Sequence, residues 1–190
     1  MKRILILAAA LFTVCTAFAQ SEYNLQRRSL FEVLPVYSSD IVFLGNSITD
    51  GCEWAELDVQ MTRDGVVMVT HDTSLRRCTG RNENIYDLTY NEVRKLDAGR
   101  WFGQEYTGAK VPTLEEVLDL CKGKIQLNIE IKPNAATPEL EAETIRIIRE
   151  KGFARDCTIT SQSYETLCKV KELAPEIRTC LLYTSDAADE

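Results

Sequence analysis

Two carboxylates and the only histidine of the chain stand close together in WAELDVQMTRDGVVMVTHD, residues 54–72. In an extended segment successive side chains alternate, so Glu56 and Asp58 share one face and Ala55, Leu57 and Val59 the other. A turn at Thr62 to Gly65 follows. Val66 to Thr70 then reads as a second strand, with His71 and Asp72 where it ends. The stretch LNIEIK repeats the alternation: Leu127, Ile129 and Ile131 fall on one face, Asn128, Glu130 and Lys132 on the other. If the apolar faces pack against helices, the polar faces look into a common interior. Three carboxylates, a lysine and a histidine would converge there.

Helices must then supply the packing. Thr89 to Glu92 and Thr113 to Glu116 both have the spacing of a capping box, a hydroxyl followed three residues on by a glutamate, so each should open a helix. In the second, Leu114, Val117, Leu118 and Cys121 recur at helical spacing, and Gly123 stands where a C-terminal glycine stop belongs. Thr137-Pro138 is read as the start of a helix with proline at its first position; it buries Leu140, Ile147 and Ile148 and ends at Gly152. A strand at Cys157 to Gln162, a helix at Tyr164 to Leu173 and a last strand at Ile177 to Leu182 complete the alternation. Such alternation implies a parallel β/α architecture.

Composition sets outer bounds. With 45% hydrophobic and 27% charged residues the chain is of ordinary globular make-up, and its formal charge of −7 argues against general nucleic-acid binding. Residues 1–19 have the form of a signal peptide: Lys2 and Arg3, an apolar run from Ile4 to Cys15, and an Ala17-Phe18-Ala19 cleavage site. That run is too short for a good membrane span, so export to the periplasm or medium is expected, with no transmembrane segment after cleavage. The cysteines show no C-x-x-C or zinc-like spacing and read as small buried hydrophobes.

Two further stretches resemble something else. FLGNSITDG, within residues 20–52, resembles the nucleophile block of GDSL or SGNH esterases and makes Ser47 an alternative nucleophile. That family takes its base from a D-x-x-H block, and the residue three before His71 is Met68, so no triad can be assembled. The tail from Cys180 to Glu190 resembles a translated sequencing adapter, since TGT CTC TTA TAC ACA TCT encodes Cys180 to Ser185. It is expected to contribute nothing to the fold.

Glu56 to about Leu182, around an expected domain at residues 53–179, resembles the glycerophosphodiester phosphodiesterase family through AELDVQMTRDGVVMVTHDTSLRRCTG, DLTYNEVRKLDAGRWF and VPTLEEVLDLCKGKIQLNIEIKP, in that family's order and approximate spacing. The resemblance implies a TIM-type β/α barrel with its site at the carboxyl ends of the strands, and residues 87–107 as an excursion near the site mouth. It implies hydrolysis of a small-molecule glycerophosphodiester to glycerol phosphate and an alcohol. Carried over by resemblance, Glu56, Asp58 and Glu130 are metal ligands, Lys132 contacts phosphate, His71 is an acid/base and Trp101 lies on the substrate side. An all-oxygen donor set suits Mg²⁺ or Ca²⁺ over zinc. That family also has a His-Arg-Gly strand with a second acid/base histidine, for which this chain has no counterpart. A barrel usually needs ~250 residues, so an incomplete barrel lacking its first β/α unit and its last strands is expected. Impaired activity or a catalytically dead phosphate- and metal-binding relative follows as the alternative, with an esterase start spliced to a phosphodiesterase middle near GCEWAEL.

Overall fold

The computed structural model describes residues 54–182. The leader, the esterase-like segment with Ser47, and residues 183–190 lie outside the described residues.

Five strands form one sheet in the order β2-β1-β3-β4-β5: β1 (Trp54–Met61), β2 (Val67–Val69), β3 (Gln126–Ile131), β4 (Cys157–Ser161) and β5 (Arg178–Leu181). β1, β3, β4 and β5 are mutually parallel and neighbour one another in chain order, as in a β/α barrel. β2 instead returns antiparallel against β1 through the turn at Gly65, whose φ of 85° is the left-handed conformation that glycine adopts without strain. The far side of β2 is covered in part, because Val69 N–H donates to Pro112 C=O at 2.9 Å and Met68 bridges Thr113.

Helices α1 (Arg76–Thr79), α2 (Tyr90–Val93), α3 (Leu114–Cys121), α4 (Leu140–Glu150) and α5 (Tyr164–Leu173) fill the connections. Both capping boxes form: Thr113 Oγ1 accepts from Glu116 N–H while the Glu116 carboxylate accepts from Thr113 N–H, and Thr89 and Glu92 do the same. One apolar face of the sheet, with Leu57, Val59, Leu127, Ile129, Ile131 and Ile159, packs on α3, α4 and α5 to make the main core. A second, smaller core of Met68, Leu75, Ile85, Leu88, Val93 and Val111 sits under the segment that joins β2 to α3.

The helix expected at Thr137-Pro138 starts later, at Leu140. Asn134 is the reason: its side-chain carbonyl accepts from Ala136 N–H at 2.9 Å and its main-chain carbonyl from Thr137 N–H at 3.0 Å, so Pro138 lies in a turn before the helix. No helix among the described residues is long and apolar enough to cross a membrane.

Candidate active site

Parallel pairing decides which side chains meet. Asp58 lies opposite Glu130, and Glu130 opposite Thr160, so these three share a row across the face turned away from the helices. Glu56 lies one row earlier, opposite Asn128, and is open to solvent, whereas Asp58 and Glu130 are only 8% and 4% exposed. Lys132, just past β3, sets its Nζ 3.0 Å from Asp58 Oδ1 and 3.9 Å from Glu130 Oε2. The approach to Asp58 gives charge without hydrogen-bond geometry: Asp58 Oδ1 is buried and has no hydrogen-bond partner, and the same is true of Thr160 Oγ1.

Crowding of negative charge shows in the ionisation of these groups. Glu130 is pushed up to about 7, first by burial and then by its hydrogen bond to Asp58 and the charges of Asp58 and Glu56, with Lys132 opposing. Glu56 is raised for related reasons: although the residue reaches solvent, its carboxyl is partly desolvated by its neighbours, and the Asp58 charge adds to this against the pull of Lys132 and His71. A cavity of about 370 Å³ opens beside this cluster, lined by Glu130, Ile131, Lys132, Pro133, Gln162 and Ser163.

His71 is brought to the same strand by the hairpin. Thr70 N–H donates to Asp58 C=O at 3.0 Å, and Gln60 Nε2, on the row after Asp58, donates to His71 C=O at 2.9 Å. The imidazole Nδ1 lies 2.7 Å from Asp72 Oδ1. Trp101 stands apart on the excursion, 41% exposed, its indole N–H donated to Ala98 C=O and its ring edge-on to Phe102; it does not line the cavity. The excursion is closed by Asp97, whose carboxylate accepts from the N–H groups of Gly99, Arg100 and Gly108.

The donor set suits a hard divalent cation: carboxylate oxygens throughout, one of them buried without a donor, and a glutamate that resists ionising beside its neighbours. Among the described residues, no three such side chains are yet drawn round a single point. The Lys132 ammonium supplies the positive charge between Asp58 and Glu130.

Asp72 is marked in the sequence only as the residue after His71, and Gln60, Thr160, Gln162 and Ser163 carry no sequence signal of a site role. Gln60 and Thr160 continue the alternation that marks Glu56, Asp58 and Glu130, so their face was readable. Their roles depend on register.

Residues 44–190 match the model of the glycerophosphoryl diester phosphodiesterase family. A glycerophosphodiester phosphodiesterase of Caldanaerobacter subterraneus is 39% identical over 135 residues, covering 70% of this chain and 56% of that one. One from Bacillus subtilis is 36% identical over 144 residues, covering 68% and 49%. Among solved structures, an Oleispira antarctica phosphodiesterase in complex with the product sn-glycerol-3-phosphate superposes with a TM-score of 0.66 at 31% identity, covering 73% of this chain and 57% of that one. The chain thus spans about half the length of the curated relatives it matches. The family match begins inside the stretch read as esterase-like, and the esterase resemblance finds no support in these comparisons.

Proposed function

The chain belongs to the glycerophosphoryl diester phosphodiesterase family, and on that premise we propose that it serves metal-dependent hydrolysis of glycerophosphodiesters to glycerol phosphate and an alcohol. The observation that carries this reading is the row in which Asp58 and Glu130 face each other, with Lys132 against both and His71 following directly on Thr70, whose N–H is bonded to Asp58 C=O. A phosphodiester is an anion, and attack at phosphorus needs its charge offset and a proton moved. Asp58, Glu130 and Glu56 would hold Mg²⁺ or Ca²⁺, which supplies electrophilic polarisation of the phosphoryl oxygens. Lys132, relieved of Asp58, meets the phosphate. His71 moves the proton. The cavity beside Lys132 has room for the glycerol moiety.

The family is generally dependent on a divalent metal, and the Oleispira antarctica relative was solved with a glycerol phosphate; both support the reading. With a single histidine in the chain, proton transfer has one imidazole where the family pattern has two, so turnover by this chain alone is expected to be depressed by about 10²- to 10⁴-fold. The leader-like residues 1–19 support export, which fractionation of a tagged chain would test.

The experiment is release of glycerol phosphate from a panel of glycerophosphodiesters by the full-length gene product, with and without a chelator. Hydrolysis abolished by the chelator and restored by Mg²⁺ or Ca²⁺ is expected, and Asp58→Asn should lose the metal response. Chelator-insensitive hydrolysis, or full activity in Asp58→Asn, would remove the proposal.

A further inference from the structure

His71 is held at two points, its ring by Asp72 and its carbonyl by Gln60, and the Asp72 carboxylate is held in turn by Arg77. His71 Nδ1 sits 2.7 Å from Asp72 Oδ1. Arg77 grips that same carboxylate on both oxygens, with Nε 2.6 Å from Oδ2 and Nη2 3.0 Å from Oδ1. Gln60 holds the His71 carbonyl from the neighbouring strand at 2.9 Å. His71 and Asp72 are half-buried, their side chains 21% and 34% exposed, and Arg77 closes over them from the solvent side.

We propose that Asp72 and Arg77 are positioning residues that fix His71 with its hydrogen on Nδ1, leaving Nε2 as the atom that takes or gives the proton. This rests on the functional reading of His71 given above. A carboxylate engaged by a guanidinium on both oxygens is an acceptor only, so the imidazole must present N–H to it in the neutral as well as the charged form. A neutral imidazole then has its lone pair on Nε2, the reverse of the tautomer that free histidine prefers in water.

Arg77 can act as an anchor because its own chain is anchored. It lies on α1, whose preceding residue Leu75 is fully buried in the smaller core, and Leu75 N–H donates to Glu83 C=O while Ile85 N–H donates to Thr73 C=O. The segment after β2 therefore does more than connect. It carries a guanidinium back to the strand end and holds the carboxylate against the ring. A single hydrogen bond between sequence neighbours would leave both side chains free to rotate together; the Arg77 fork removes that freedom.

The chain contains one histidine, so long-range ¹H–¹⁵N spectra of the imidazole report on this residue alone. At a pH where the ring is neutral, the intact chain should show a pyrrole-type Nδ1 and a pyridine-type Nε2. Asp72→Ala should return the ring to the mixture seen in free histidine, and Arg77→Met should weaken the Nδ1–H preference while Arg77→Lys recovers part of it. If Asp72→Ala fails to fold, the Arg77 pair decides. A native ring with the free-histidine mixture, or an Nδ1–H preference unchanged in both Asp72→Ala and Arg77→Met, overturns the assignment. In the full-length phosphodiesterase, Asp72→Ala should lower kcat by about 10- to 100-fold with KM little changed, as when other carboxylates that orient a functional imidazole are removed. The spectra need no turnover. An Nδ1–H ring in a protein that fails to hydrolyse any diester would uphold the tautomer and sink only the functional reading.

Discussion

Glu130 shows how a single carboxyl can register the state of a whole site. Its ionisation lies at about 7 in the folded chain against an ordinary 4.5, so between those values the folded protein holds a proton that the unfolded chain has released. The sign follows: as pH rises through this window the folded state loses stability relative to the unfolded, and the penalty is complete above about pH 7. Lys132 is the nearest group opposing that shift. Lys132→Met should therefore push Glu130 higher still, and should destabilise the metal-free chain by about 1–3 kcal/mol at pH 8 and by much less at pH 5, where Glu130 is already protonated. Urea melts at the two pH values, with a carboxyl titration by NMR, measure both effects. The facing of these residues was legible in the sequence because alternation along a strand is a local property. Which carboxylate lies opposite which was not. The pairing of Asp58 with Glu130 is set by how β1 and β3 slide against each other over their buried faces, and the contact of Lys132 with Asp58 follows from that register.

Among the elements, the two capping boxes were readable from four residues each, since the bonds they make are confined to one turn. Thr113→Ala removes the acceptor for Glu116 N–H and should cost about 1 kcal/mol in an equilibrium melt. The start of α4 is ambiguous in the sequence because a proline that suits a helix's first position also suits the turn that Asn134 nucleates, and only the hydrogen bonds to Asn134 distinguish the two. The excursion is the least legible part, being closed by contacts between distant residues. A Cβ on Gly99 would fall 1.9 Å from Tyr106 O, so the backbone passes where no side chain fits. Gly99→Ala is expected to destabilise by about 1–3 kcal/mol, measured by the same melts, while leaving the main core intact.

At the level of the whole molecule, an acidic chain of formal charge −7 places its buried carboxylates where a small cation would relieve them. Anything that binds the folded state alone raises its stability, by about 2.7 kcal/mol at a hundredfold excess over Kd. Ca²⁺ or Mg²⁺ should raise the thermal midpoint, more at pH 8 than at pH 6, because protons compete for Glu130 and leave it as pH passes about 7. Matched NaCl should give no such rise, and Asp58→Asn should abolish it. The fold class was readable from the alternation of strands and helices. The antiparallel return of β2 emerges from the structure, though the short turn at Gly65 permits no other kind of pairing.

That return stroke divides the working groups by how far each must travel along the chain. Gln60 and His71 are eleven residues apart and meet through one tight bend, a closure that takes microseconds, whereas Glu130 reaches the same neighbourhood only after the rest of the intervening chain has been laid down. The imidazole thus has its address written by its immediate kin, while the second acid arrives as a stranger.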